Sequence, residues 1–117
     1  MTCEFHLTPD MMAAMYDYMR VTKPFVWWKL PPSADVVFHV TLHKQIVGDH
    51  VINERGFHVI RCSANNIGST DELARVIAHE MVHAHCDRKG VRAEHGSAFQ
   101  ICADKVCKFH GFDRKRF

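Results

Sequence analysis

The sequence predicts an α+β fold in which one helix precedes a small three-stranded sheet and two further helices follow it. Three observations support this order: a capped helical segment near the N-terminus, three short runs of alternating residues in the middle third, and apolar residues at helical spacing in the final third. The 117 residues suffice for one modest hydrophobic core but not for two, so we expect a single domain over residues 1–117.

The first helix is predicted over residues 9–21. Thr8 is a favourable N-cap residue, and Pro9 suits the first helical position. Apolar side chains then recur at helical spacing, at Met12, Met15, Tyr16 and Met19. The prolines that follow end this helix and bring Trp27 and Trp28 into a loop, where we expect both rings to be half-buried under the sheet.

The middle third is predicted to form three strands, in residues 36–43, 45–54 and 57–64. In the first run, alternate apolar side chains share one face, at Val36, Phe38, Val40 and Leu42. Arg55 and Gly56 separate the last two runs and suit a hairpin turn. Three consecutive short strands favour an antiparallel meander, and a different pairing of the last strand is the open alternative.

The second helix begins with a capping box, in which Ser69 is the N-cap and Glu72 follows three positions later. Apolar residues then repeat every three or four positions, at Leu73, Val76, Ile77, Met81 and Ala84. Gly90 is a natural stop for this helix. The third helix is predicted to begin near residues 95–97 and to end at Gly111.

The second helix carries the sequence HEMVH at residues 79–83. His79 and His83 are one turn apart on the same side of the helix, so both imidazoles can reach one metal ion. Glu80 lies roughly 60° from His83 around the helix axis, so its carboxylate borders the metal without having to be a ligand. In this HExxH arrangement two histidines hold zinc and the glutamate is the general base. The motif therefore predicts a catalytic zinc site.

A catalytic zinc ion needs a third protein ligand in addition to an open position for water. In one known extension of the HExxH motif, a glycine follows the second histidine by three residues and another histidine follows it by six. Here Cys86 and Lys89 occupy those two positions. Glu94 is a conceivable ligand. His95 is the better choice, because it opens the helix that folds back after the turn and is followed by a glycine that lets the backbone approach the metal.

The combination of HEMVHAH with HGSAF resembles the SprT-like metalloproteases, which join HExxH to a third histidine in an HGxxF element that opens the next helix. The resemblance implies a compact zincin-like domain that hydrolyses peptide bonds, with DNA-associated proteins as one substrate class. It also implies roles for five side chains: zinc ligands His79, His83 and His95, catalytic base Glu80, and packing residue Phe99.

We therefore expect a zinc-dependent metalloendopeptidase whose partner is a protein or peptide substrate. Two alternatives share the motif: a zinc hydrolase of a non-protein amide bond, and a non-catalytic interaction module in which the metal only holds the fold together. Glu80 argues against the second alternative, because a structural site has no use for a base. By analogy with other zincins, a strand edge near residues 57–63 is expected to pair with an extended substrate.

The composition is that of an ordinary globular protein, with 47% hydrophobic and 24% charged residues. The five cysteines form no CxxC pair, and an odd number cannot all pair with one another. The N-terminus shows no secretory signal. We therefore expect a cytoplasmic or other intracellular location without membrane association. The net charge of +2 is too small to indicate a nucleic-acid binder by itself. We expect only weak DNA binding, through basic groups at residues 88–92 and 114–116.

The histidines outside the motif are expected to lie away from the site. His85 is about 160° from His83 around the helix axis, which predicts a surface position. His50 is also predicted at the surface, and His58 on the polar face of a strand.

Overall fold

A computed structural model describes residues 5–90 and 95–117 of the chain. It shows three α-helices and a three-stranded sheet, which confirms the predicted α+β class and order of elements. The helices are α1 (Pro9–Arg20), α2 (Thr70–Arg88) and α3 (Ser97–His110). The strands are β1 (Val36–Thr41), β2 (Gly48–Ile52) and β3 (His58–Ser63).

The sheet has the strand order β1-β3-β2, so the predicted meander is wrong in part. β2 and β3 do form the expected antiparallel hairpin, with Gly56 at a φ of 84° in its turn. β1, however, pairs with β3 in parallel. The alternation within β1 indicates which of its faces is buried but contains no information about its neighbour. β3 takes the central position, where most of its residues are buried.

Local capping determines where α2 begins, as the sequence predicts. The Ser69 hydroxyl accepts the main-chain N–H of Glu72 at 3.2 Å, and the Glu72 carboxylate accepts the N–H of Gly68 at 3.2 Å. The second bond reaches one residue further back than the usual capping box. Gly90 and Gly111, with φ of 76° and 77°, follow the ends of α2 and α3 in the left-handed conformation that stops a helix.

The hydrophobic core lies between the inner face of the sheet and the three helices. All three helices contribute side chains that are at most 2% exposed, namely Met12, Tyr16 and Met19 from α1, Leu73, Ile77 and Met81 from α2, and Phe99, Ala103 and Val106 from α3. Because α2 is packed against α1, α3 and the sheet, the side chains that it presents on its remaining face have a rigid support.

The segment after α1 packs on the helices, where Trp28 is half-buried as expected, and it corrects the expectations for Trp27 and His85. Trp28 stacks on His85 of α2 with ring centroids 4.2 Å apart, and His85 is only 6% exposed, so its predicted surface position is wrong. Trp27 is exposed and contacts Phe109 of α3. Arg88 donates hydrogen bonds to main-chain oxygens of this segment and so holds it against the end of α2.

The cysteines that the structure describes are all free thiols: Cys62, Cys86, Cys102 and Cys107. Within residues 5–90 and 95–117, none of the helices combines the length and the apolar character needed to cross a membrane.

Candidate metal centre and active site

Three imidazoles meet where α2 faces the start of α3. Nε2 of His95 lies 3.2 Å from Nε2 of His79 and 3.2 Å from Nε2 of His83. The possible ligand atoms of the three residues all lie within 4.8 Å of one another. The histidines singled out in the sequence therefore form one cluster that can hold a metal ion. Glu94, the alternative third ligand, lies outside the described residues.

The distances from His95 to its two partners fit a tetrahedral zinc ion. Zinc–nitrogen bonds are about 2.0 to 2.1 Å long, which places two ligands on a tetrahedron about 3.3 Å apart. The observed separations of 3.2 Å from His95 to each of its partners agree with that value. Catalytic zinc sites typically have three protein ligands, and three imidazoles are one such set, whereas structural zinc sites have four.

Phe99 packs against all three imidazoles. Its ring centroid lies 4.9 Å from that of His79, 4.6 Å from that of His83 and 4.8 Å from that of His95. Phe99 is itself buried in the core, and a buried aromatic ring is rigid. The aromatic residue of HGSAF thus packs as the resemblance implies, and it restricts the orientation of every candidate ligand.

His79 has a further contact on the side away from the cluster. Its Nδ1 lies 2.9 Å from the main-chain oxygen of Phe117. Burial, together with the neighbouring His83, lowers the pKa of His79 to about 4. The imidazole is therefore neutral near pH 7, which is the form that binds a metal ion.

Glu80 lies beside the histidines with only 4% of its surface exposed. Burial raises the pKa of this carboxyl group to about 8, with smaller contributions from Asp49 and Asp87. The carboxyl group thus lies beside the candidate ligands, in the position where the HExxH motif has its general base.

Gly48 of β2 makes room for the Glu80 carboxylate. A Cβ atom at position 48 would lie 3.2 Å from Oε2 of Glu80 and 2.8 Å from Cγ1 of Val76. Sequence reasoning missed this residue. A glycine inside a strand pattern is a signal for close approach by another element, and Gly48 is the glycine within the second predicted strand.

A cleft of about 710 Å³ runs between α2 and β2 and contains the three histidines and Glu80. Its walls are formed by residues of the two elements and by the third histidine: Gly48, Asp49, His50, Val51 and Ile52 from β2, His79, Glu80, His83 and Asp87 from α2, and His95. The candidate metal ligands and the candidate base therefore face one open space that can admit a substrate.

A partly buried hydrogen-bond chain connects the wall formed by β2 with α2. Nδ1 of His50 lies 2.7 Å from Oδ2 of Asp87, and Nε2 of His50 lies 2.7 Å from Nδ1 of His58. The His50 side chain is fully buried and His58 is 7% exposed, so both predicted positions are wrong. Burial lowers the pKa of both imidazoles, to about 4 for His58. Asp87 was not identified from the sequence, although it lies seven residues after Glu80 on the same side of α2.

The strand edge predicted to receive a substrate is also corrected. Residues 57–63 coincide with β3, which is hydrogen-bonded to a strand on each side and has no free edge. β1 and β2 are the two edge strands of the sheet, and β2 is the one that lines the cleft. An extended chain that enters the cleft therefore meets β2.

Two hydrogen bonds define which main-chain groups of β2 face that free edge. The N–H of Asn53 donates to the oxygen of Phe57 at 2.9 Å, and the N–H of Ser63 donates to the oxygen of Val47 at 2.8 Å. Hydrogen-bonded pairs alternate along an antiparallel ladder, so the odd-numbered residues of β2 bond to β3. Three residues then direct their N–H and C=O groups outward: Gly48, His50 and Ile52.

Comparison with known families agrees with this geometry. A sequence model of the SprT-like family matches residues 15–116, which is nearly the whole chain and includes both the HEMVH helix and His95. No individual curated protein matches the sequence.

Proposed function

Because the chain belongs to the SprT-like family, we propose that it is a zinc-dependent metalloendopeptidase. The observation that supports this proposal most directly is the cluster of three imidazole nitrogens beside a buried glutamate in an open cleft. His79, His83 and His95 would hold the zinc ion, and Glu80 would be the catalytic base.

When bound, zinc supplies Lewis-acid polarisation of the scissile carbonyl and lowers the pKa of its water ligand. Glu80 would accept the proton from the attacking water and transfer it to the nitrogen of the leaving amine. Its position next to His79 on α2 directs the carboxylate into the same cleft, and Phe99 holds the histidines in place beside it.

The free edge of β2 supports an extended peptide as the substrate. The outward N–H and C=O groups of Gly48, His50 and Ile52 would pair with the substrate main chain as an added strand. Recognition through the main chain depends little on the substrate sequence, which suits a protease that acts on varied proteins. DNA-associated proteins are the substrate class that the resemblance implies.

The same edge favours the peptidase over the two alternatives. A hydrolase of an isolated non-protein amide bond does not require regularly spaced donors and acceptors beside the metal. A site that only stabilises the fold does not require Glu80, and burying a carboxyl group there is costly.

Metal analysis of the purified protein, combined with cleavage of casein and histones with and without single-stranded DNA, tests the proposal. We expect one zinc ion per chain and cleavage of at least one protein substrate. Glu80→Gln should retain zinc and fold but lose at least about 10²-fold of the activity. Glu54→Gln, in the exposed hairpin turn, is the matched control. Parental activity in Glu80→Gln would exclude this base, and metal-free wild-type protein would exclude the zinc site.

A further inference from the structure

The segment after α3, residues 111–117, returns to α2 beside the three clustered histidines. Nη1 of Arg75 donates to the main-chain oxygen of Arg116 at 3.0 Å. Nδ1 of His79 lies 2.9 Å from the main-chain oxygen of Phe117. Arg75 and His79 are one turn apart on α2, so two consecutive main-chain oxygens are bound by successive turns of the same helix.

The contact with Phe117 determines which nitrogen of His79 carries the proton. A main-chain oxygen has no proton to donate, so Nδ1 must be the donor. In a neutral imidazole the other nitrogen, Nε2, then has the free lone pair. This is the same Nε2 that lies 3.2 Å from Nε2 of His95. The hydrogen bond thus leaves the candidate ligand atom unprotonated on the side that faces the cluster.

Ring contacts fix the position of the Phe117 main chain. The Phe117 ring centroid lies 5.3 Å from that of His79, 6.4 Å from that of Phe99 and 5.8 Å from that of Phe112. Phe117 therefore packs on the same aromatic residue that supports the three histidines. Its main-chain oxygen is held both by this packing and by the neighbouring bond from Arg75.

We propose that Arg116 and Phe117 position His79 for metal binding by holding its imidazole in the Nδ1–H tautomer with Nε2 directed at the cluster. The inference rests on the proposed function, because it assumes that the three histidines bind zinc. Hydrogen-bond partners of ligand histidines typically contribute about 10- to 100-fold to metal affinity. Loss of this contact should weaken zinc binding by a similar factor.

Two variants remove the contact in different ways. Phe117→Ala removes the ring that anchors the main-chain oxygen, and Phe117→Leu should restore part of the effect. Arg75→Met removes the bond to Arg116 and keeps an apolar side chain of similar length. Loss of the Arg75 charge alone would strengthen the binding of a cation, so weaker binding in Arg75→Met is evidence for positioning. Lys115→Ala, an exposed residue of the same segment, is the matched control.

Zinc affinity by chelator competition and ¹⁵N NMR of the metal-free protein provide the two measurements. We expect the wild type to show His79 as the Nδ1–H tautomer, and both variants to show a mixture of tautomers together with about 10- to 100-fold weaker zinc binding. Wild-type His79 in the Nε2–H tautomer, or variants that bind zinc as tightly as the wild type, would overturn the inference. A wild type that binds no zinc would contradict the proposed function instead, and the tautomer measurement would still test the hydrogen bond.

Discussion

Gly48 of β2 lies so close to Glu80 of α2 that a Cβ atom at position 48 would come within 3.2 Å of the Glu80 carboxylate. The same atom would lie 2.8 Å from Val76 and 3.1 Å from the main-chain oxygen of Arg61. Any side chain at this position would therefore push β2 away from α2. The absence of one determines how far the strand that lines the cleft lies from the candidate base.

Gly48→Ala should lower the free energy of unfolding by about 1 to 3 kcal/mol, which is the usual cost of overpacking. It should also reduce peptidase activity, because the edge of β2 moves relative to Glu80. Urea denaturation and initial cleavage rates measure the two effects. In the control Gly68→Ala, the added Cβ would meet only the Glu72 carboxylate at an ordinary 3.6 Å. Adding Val76→Ala to Gly48→Ala should recover part of the activity, because it removes the nearest clashing side chain. Wild-type stability and wild-type cleavage rates in Gly48→Ala would show that β2 tolerates a side chain at this position.

The identity of the third ligand is tested by substituting both candidates. His95→Ala should lose stoichiometric zinc, because Nε2 of His95 lies 3.2 Å from Nε2 of His79 and 3.2 Å from Nε2 of His83. Glu94→Ala should retain the metal. Zinc content of the purified variants, measured by mass spectrometry, decides between them, with the exposed His43→Ala as a control. The reverse pattern would assign the ligand to Glu94.

Stability should decrease at mildly acidic pH because His58 is buried in its neutral form. Its folded pKa is lowered to about 4, mainly by burial and also by the neighbouring His50 and Arg88, while Asp87 opposes the shift. The unfolded histidine has a pKa of about 6.5. As the pH falls below 6.5, His58 binds a proton in the unfolded chain but not in the folded protein, and this favours unfolding. The contribution of His58 to the free energy of unfolding is therefore complete above pH 6.5 and is lost as the pH falls towards 4.

Urea unfolding at about pH 7.5 and about pH 5 measures this contribution, which we expect to be about 1 to 3 kcal/mol. His58→Gln should show a smaller difference between the two pH values, whereas the exposed His39→Gln should behave like the wild type. An unchanged pH dependence in His58→Gln would mean that another group is responsible.

DNA binding is predicted to be weak and sensitive to salt. Arg114 forms an ion pair with Asp104 at 2.6 Å, and Arg88 is engaged by main-chain oxygens, so two of the basic side chains are already bound within the protein. Arg92 lies outside the described residues. On single-stranded DNA, each phosphate that the protein neutralises makes the slope of log affinity against log salt concentration steeper by roughly 0.7. Titration of labelled single-stranded DNA at two salt concentrations tests this, and tight binding at about 0.2 M salt would reveal a dedicated nucleic-acid surface.

The sequence by itself determined the features that depend on neighbours along the chain. The spacing of His79 and His83 places two imidazoles on one side of a helix in any context, and Ser69 with Glu72 marks where that helix begins. Gly90 and Gly111 similarly indicate where helices end. These features depend only on the geometry of one helix and on no tertiary contact.

Tertiary structure alone decided the features that depend on residues distant in sequence. The pairing of β1 with β3, the burial of His50 and His58, and the contact of Phe117 with His79 all join segments whose own patterns do not specify a partner. Alternation or helical spacing reports which face of an element is apolar. Which other element covers that face, and which polar group completes a hydrogen bond there, follows only from packing the whole chain around one core.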